Sequence, residues 1–204
     1  MAVLITLAVL AALYIAFLLW YYGFRKPLSK DQVDRYMIML GGANVPAQLA
    51  PLLENIRKWA LADDGKQFFM VNFVRYRDEA EYQDGKDAGI SSREANKRYL
   101  RSTIPMLLAR ASHPYGSLHP VAVIRGESWD EVNVVRYRSR KDFLDIITSP
   151  RWQAGLSHKD AALSDNPNLP SKGMVAFPFM PLLVLTLFLV IALICLAVTA
   201  FGQV

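Results

Sequence analysis

One heptapeptide occurs twice. Val71-Asn72-Phe73-Val74-Arg75-Tyr76-Arg77 returns as Val132-Asn133-Val134-Val135-Arg136-Tyr137-Arg138, with six of the seven positions identical. Both copies consist largely of β-branched and aromatic residues and contain no Gly or Pro, so both are predicted to be strands. A duplicated strand constrains topology before it says anything about chemistry. Two equivalent strands imply two equivalent halves of one sheet.

Every charged residue lies between Arg25 and Lys172, so the formal net charge of +5 belongs entirely to the middle of the chain. The flanks are uncharged apolar runs, Ala2–Tyr22 and about Met174–Phe201, each long enough as a helix to cross a ~30 Å hydrocarbon core. Residues 1–23 are read as a retained transmembrane helix rather than a signal peptide. No basic residue precedes the run, it is too long for a signal peptide's apolar region, and no small-x-small cleavage site follows it. Trp20-Tyr21-Tyr22, Arg25 and Lys26 supply an interfacial anchor instead. Residues 174–204 hold the second span, with Pro178 and Pro181 near its start.

Arg25, Lys26, Lys30 and Lys172 sit on the inner side of the spans, and neither outer tail has a Lys or Arg. The positive-inside rule then places the central domain in the cytoplasm of a bacterial-type inner membrane, with both termini on the opposite side. Apart from tyrosines and Cys195 the spans carry no ionisable group. They are therefore read as anchors in the lipid bilayer, or as packing surfaces for other membrane subunits, rather than as an ion path. Cys195 is the only cysteine, which precludes an internal disulfide and agrees with a reducing compartment.

Residues 24–66 read as amphipathic helices and linker. Pro27 breaks the first helix, Ser29 caps the next, and Val33, Tyr36, Met37 and Leu40 share a helical face. A second helix starts near Pro46 and presents Leu49, Leu52, Leu53, Ile56, Trp59 and Ala60. Such stripes are more often core than membrane-binding faces, so packing on the domain is expected.

Residues 67–173 form the main domain. A strand over Gln67–Arg77 leads into an acidic, solvated loop whose carboxylates do not match a calcium loop. A capping box at Ser91-Ser92-Arg93-Glu94 opens a helix with Pro105 inside it, ending near Ala111. After a turn at Ser112–Gly116, strands are predicted over Leu118–Arg125 and Trp129–Arg138. Ser139 caps a further helix, and Ser149-Pro150 restarts it through Leu163. Asp165–Gly173 is a linker or at best a ragged edge strand. Strand-helix-strand followed by strand-helix and a weak last strand is an α+β, ferredoxin-like βαββαβ arrangement, with the duplicated strands side by side at the sheet centre.

Phe69–Tyr76, Tyr99 with Pro105, Gly116, and Trp129-Asp130-Glu131-Val132 leading into Arg136-Tyr137 resemble the dimeric α+β barrel superfamily. Ser149–Gln153 and His158–Leu163 are similar to its second helix, within the branch of small uncharacterised domains of unknown function. The resemblance spans about Asp31 to Asn166. It implies a homodimer paired sheet to sheet, a pocket between sheet and helices, and relatives that include cofactor-free monooxygenases, isomerases and haem-binding enzymes. The flanking membrane helices depart from that pattern.

Strand alternation puts Asn72, Val74 and Tyr76 on one face, matched by Asn133, Val135 and Tyr137. An Asn in mid-strand must find partners. Two readings stay open: Asn72, Asn133, Tyr76 and Tyr137 line a pocket, or the amides bond each other and the backbone and set the register. Of the three histidines, His113 reads as a turn residue and His158 as a surface or capping residue. His119 alternates toward the sheet face, where it would serve as a general base or an axial haem ligand. No clustered ligand set, P-loop or dinucleotide fingerprint is present, so neither a metal nor a cofactor is predicted beyond that haem alternative.

Arg136, Arg138, Arg140 and Lys141 form a basic cluster expected at the surface, suited to anionic lipid or an acidic partner rather than nucleic acid. Two functions fit. One is a non-catalytic accessory subunit of a membrane protein complex. The other is a membrane-tethered small-molecule-binding protein, or a cofactor-free oxygenase or isomerase-like enzyme, acting on an apolar compound.

Overall fold

Phe68–Tyr76 forms strand β1 and Glu131–Tyr137 forms β3, and the two pair antiparallel with Asn72 opposite Asn133. The two copies of the repeat thus lie side by side in opposite directions, with Val71 against Val134 and Phe73 against Val132. The computed structural model describes residues 2–23, 25–41, 49–85, 87, 89–173 and 178–201. β2 (His113–Leu118) lies on the far side of β3, and β4 (Leu163–Asp165) and β5 (Asn168–Ser171) both pair with β1. The result is an α+β unit with a five-stranded antiparallel sheet, ordered β2-β3-β1-β4 with β5 also on β1.

Three serines start the helices that cover this sheet. Ser91 Oγ accepts the Glu94 N–H before α4 (Ser92–Leu108), Ser139 Oγ accepts that of Asp142 before α5 (Arg140–Ile147), and Ser149 Oγ accepts that of Trp152 before α6 (Pro150–Ala162). Each bond satisfies one of the helix's orphan amides. Phe68, Met70, Tyr137, Met106, Leu107 and Ile146 close one core between sheet, α4 and α5. Val74, Ala95, Ala161, Ala162 and Leu163 close a second beside α6. The opposite sheet face carries Phe69, Val71, Phe73 and Val132. Tyr115 packs against Phe69 and Trp129 against Phe73, while Leu118 and Leu169 stay exposed.

Several boundaries differ from the sequence expectation. The second strand is His113–Leu118, not Leu118–Arg125, so His113 is a strand residue rather than a turn residue. An edge strand tolerates Pro114 and Gly116 because one row of its backbone groups pairs with nothing, and a register shift lies between those two residues. Val121 and Ile124 are fully exposed in the loop that follows. The third strand begins at Glu131 rather than Trp129, and Leu163 belongs to β4 rather than to the helix. The segment expected to be a linker or ragged edge holds two short strands, split at Asn166-Pro167. The expected helix start near Pro46 lies outside the described residues.

The basic cluster is the largest correction. Arg136, Arg138 and Arg140 are 2%, 6% and 7% exposed, so they are internal rather than a surface. Arg136 donates to Gln67 Oε1 (2.8 Å) and to the Ala111 carbonyl (2.6 Å), pinning the turn that delivers β2. Arg138 forms a bidentate pair with Asp142 (2.9 and 2.6 Å), which Ser139 also bonds. Arg140 donates to the Trp59 carbonyl, lies over the Trp59 ring and sits 3.7 Å from Asp63. Only Lys141 stands partly in solvent, paired with Asp145. The partners of Arg136 and Arg140 come from distant segments, which no local charge count reveals.

Helices α2 (Lys30–Gly41) and α3 (Ala50–Leu61) pack on α5 through Val33, Ala60, Leu144 and Ile147, with Trp152 of α6 against the same cluster. Asp63 fixes the segment before α2: its carboxylate accepts the Leu28 N–H (2.9 Å) and the Gly65 N–H (3.1 Å). Next to it, Lys172 pairs with Asp64 at 2.9 Å. Gly65 has φ +70°, and a Cβ there would lie 2.2 Å from the Arg25 carbonyl oxygen.

Residues 1–23 and 173–204 form a separate compact unit, distinct from residues 24–172. It contains α1 (Ala2–Tyr22) and α7 (Phe179–Phe201), both long and apolar enough to cross a membrane. They pack on each other: the Tyr14 hydroxyl donates to the Pro181 carbonyl (3.2 Å), and its ring meets Phe188 edge-on. Leu4, Ile15 and Leu19 of α1 and Leu187, Leu193 and Val198 of α7 remain exposed.

Two outcomes follow for stability. Gly65→Ala is expected to cost at least about 1–3 kcal/mol, because it combines positive φ with a backbone clash. An unchanged urea midpoint would count against that account. Burial pushes the Asp142 carboxyl up, but hydrogen bonds from Arg138 and Ser139 outweigh it and hold its pKa below the ordinary value. A depressed carboxylate stabilises the fold above its unfolded pKa of about 3.9, and that contribution is lost as pH falls through the lower folded value. Asp142→Asn is therefore expected to cost about 3–5 kcal/mol at neutral pH and to flatten the stability profile below about pH 4. Unfolding curves taken across that range check both effects.

Candidate functional site

The duplicated strands, α4 and α6 enclose a cavity of about 550 Å³. Its roof is one stripe of α4: Asn96, Tyr99, Leu100, Thr103, Ile104 and Leu107, spaced three or four residues apart so that they share a face. Its floor is the sheet face that strand alternation assigns to Asn72, Val74, Asn133, Val135 and Tyr137. Lys159 from α6 and Asn166 from the break between β4 and β5 complete one side. Leu100 and Tyr115, each more than a third exposed, mark where the cavity reaches solvent. Gly155 lets α6 approach α4: a Cβ there would lie 2.8 Å from Ser102 Oγ.

The expected pocket residues divide. Asn72, Asn133 and Tyr137 line the cavity. Asn72 also sets register, since Nδ2 donates to the carbonyls of Met70 and Asn133 (both 3.2 Å) and Oδ1 accepts from Asn168 (2.9 Å). Both readings of the paired asparagines therefore hold together. Tyr76 is not part of the lining, but its hydroxyl donates to Glu131 (3.2 Å) and accepts from Asn96 (2.9 Å), two residues that are. Burial, then the Glu131 charge, push the Tyr76 hydroxyl up to about 12. Burial likewise raises Tyr137, whose ring stacks on Phe68 at 5.1 Å.

His119 is not in the cavity. Its strand does not form, and the side chain is 65% exposed with Nε2 3.5 Å from Glu131. Among the described residues the lining offers no His, Cys or Met, and the Tyr99 hydroxyl accepts from Trp152 Nε1 (3.2 Å). Among the described residues no group of three or more His, Cys, Asp or Glu is placed to hold a metal ion. His113 is buried, its Nδ1 lies 2.8 Å from the Pro114 carbonyl, and burial lowers its pKa. His158 Nδ1 and the Tyr82 hydroxyl share a 2.8 Å hydrogen bond.

Sequence reasoning missed the two charged residues of the lining, Glu131 and Lys159. Glu131 is well partnered: Arg93 (3.0 Å), Asn133 Nδ2 (3.1 Å), Tyr76 and His119 all reach it. Lys159 has no hydrogen-bond or ion-pair partner among the described residues, and its Nζ lies 5.9 Å from the centre of the Tyr99 ring. Burial lowers its pKa. A sequence signal existed: Lys159 follows Gly155 by four residues and Trp152 by seven, which puts all three on one face of α6.

No protein-family model matches the chain, and no curated protein matches it. Its fold is similar to that of RPA0582, a protein of unknown function from Rhodopseudomonas palustris, with TM-score 0.55 and 23% identity over 62% of this chain and 95% of that one. A crystal structure of the methylated form of that protein gives TM-score 0.56 and 24% identity, covering 62% of this chain and 92% of that one. A dimeric protein of ferredoxin-like fold and unknown function from Bacteroides fragilis aligns at TM-score 0.34 and 9% identity, too low to bear on the fold.

The Asn72 network predicts a local effect. Asn72→Ala removes the acceptor for Asn168 and should cost about 1 kcal/mol. It should also speed amide exchange in Asn168–Ser171 relative to β3. Equal protection of β5 in variant and parent would show that Asn72 does not hold that strand.

Proposed function

We propose that this chain is a membrane-anchored, ferredoxin-like domain of the dimeric α+β barrel type that binds an apolar small molecule between its sheet and α4. The observation that carries this reading is the cavity itself. Its volume falls within the usual range of ~300–1,000 Å³ for small-molecule sites, and its wall is mainly aliphatic and aromatic with a few convergent polar groups. Binding is preferred to turnover because no Ser, Thr or Tyr of the described lining hydrogen-bonds a base in the pattern of an activated nucleophile.

Membrane placement rests on α1 and α7. Their exposed apolar side chains suit lipid better than water, and the flanking Arg25, Lys26 and Lys172 favour a cytoplasmic position for residues 24–172 in a bacterial-type inner membrane. A second copy on the sheet face turned away from α4 and α6, which presents Leu118 and Leu169, is the homodimer this fold type suggests. That same face, together with the apolar surfaces of α1 and α7, favours the second reading: a non-catalytic accessory subunit docked on a larger membrane protein.

Purification of the full chain in mild detergent separates the two. The binding reading expects a chain, alone or paired with itself, that carries a co-extracted apolar compound visible by mass spectrometry. Ile104→Trp, which fills the cavity, should lose the compound while keeping the parent's circular dichroism. Stoichiometric co-purification of large membrane subunits with an empty cavity would sink the binding reading in favour of the accessory one.

A further inference from the structure

We infer that the ligand of this cavity is a monocarboxylate with an apolar body, and that Lys159 meets its carboxylate. The inference rests on the binding reading above and adds the ligand's charge. It starts from an imbalance. Of the two charged residues in the described lining, Glu131 is surrounded by donors, whereas Lys159 closes no hydrogen bond or ion pair and has only the longer-range attraction of the neighbouring Asp160. A partly buried ammonium with no partner destabilises the charged form, and the Tyr99 ring at 5.9 Å supplies only a weak cation–π attraction. An anion placed there removes the imbalance.

Two further donors stand on the α4 stripe beside it. The Tyr99 hydroxyl accepts from Trp152 Nε1, which leaves its own proton to give. Thr103 Oγ1 is buried near that hydroxyl and closes no hydrogen bond of good geometry. Ammonium, phenol and threonine hydroxyl together match the acceptor sites of one carboxylate. The rest of the wall is apolar: Val74, Leu100, Ile104, Leu107 and Val135 would contact the ligand's body.

The same inventory argues against a dianion such as a phosphate ester. Among the described residues the lining has no Arg and one Lys, and Glu131 lines it as well, so a second negative charge would meet repulsion rather than a donor. It also argues against a neutral ligand, which would leave the Lys159 charge uncompensated.

Calorimetric titration of the full chain in nanodiscs, with phenylbutyrate and with the neutral phenylbutanol as probes, tests the inference. The parent is expected to bind the carboxylate at least about tenfold tighter than the alcohol. Lys159→Met should abolish that preference by weakening phenylbutyrate about tenfold while leaving phenylbutanol unchanged, and Lys159→Arg should retain it. Circular dichroism of both variants reports folding, and the parent's own preference needs neither variant. Equal affinity of the parent for both probes, or a preference that survives Lys159→Met, overturns the charge assignment and leaves the binding reading intact. If neither probe binds the parent, the inference falls, and the binding reading is then decided separately by the co-extracted compound and Ile104→Trp.

Discussion

The pairing of β1 with β3 is the constraint from which the rest of the unit formed by residues 24–172 follows. Because the two copies run antiparallel with Asn72 opposite Asn133, Phe68, Met70 and Val74 must share a face with Val135 and Tyr137. A slip of one residue by β1 would turn Phe68, Met70 and Val74 to the other side and send Phe69, Val71 and Phe73 toward the helices instead. The Asn72 amide opposes such a slip, since its hydrogen bond to the Asn133 carbonyl runs across the two strands in this register. Structural specificity and the polar floor of the cavity are thus products of the same two residues.

Charge in this unit is used internally far more than its basic composition suggests. Arg136, Arg138 and Arg140 each join elements: the turn before β2, the start of α5, and the end of α3. Each guanidinium is matched by carbonyls or a carboxylate, which a buried cation requires. Lys159 is the contrast, a cation turned to the cavity without such a match among the described residues. It is this difference between satisfied and unsatisfied cations, more than the cavity's size, that gives the proposed site a chemical preference.

Much of this was legible in the sequence, and the exceptions share a cause. The central strands, the three serine caps and the packing of α2 and α3 follow from local composition and spacing, which are local physics. β2 escaped notice because His113-Pro114-Tyr115-Gly116 has the composition of a turn, and only pairing with β3 makes it a strand. Val121, Val123 and Ile124 mimic a strand but have no neighbour to pair with. The arginines read as surface because their partners lie far away in the chain, and His119 read as a pocket residue because a strand was assumed beneath it. Asn72, Asn133 and Tyr137 were legible as lining because alternation along a strand needs no long-range information.

The turn at Asp63-Asp64-Gly65 has a topological consequence. The entering chain touches it through the Arg25 carbonyl and the Leu28 amide, and the leaving chain through Lys172. The unit of residues 24–172 therefore opens and closes at a single seam, while α1 and α7 hold each other through Tyr14, Pro181 and Phe188. In effect it is an insertion in a helical hairpin. Evolution could splice such a cassette in or out, or graft it onto a different helical pair, without breaking its own core.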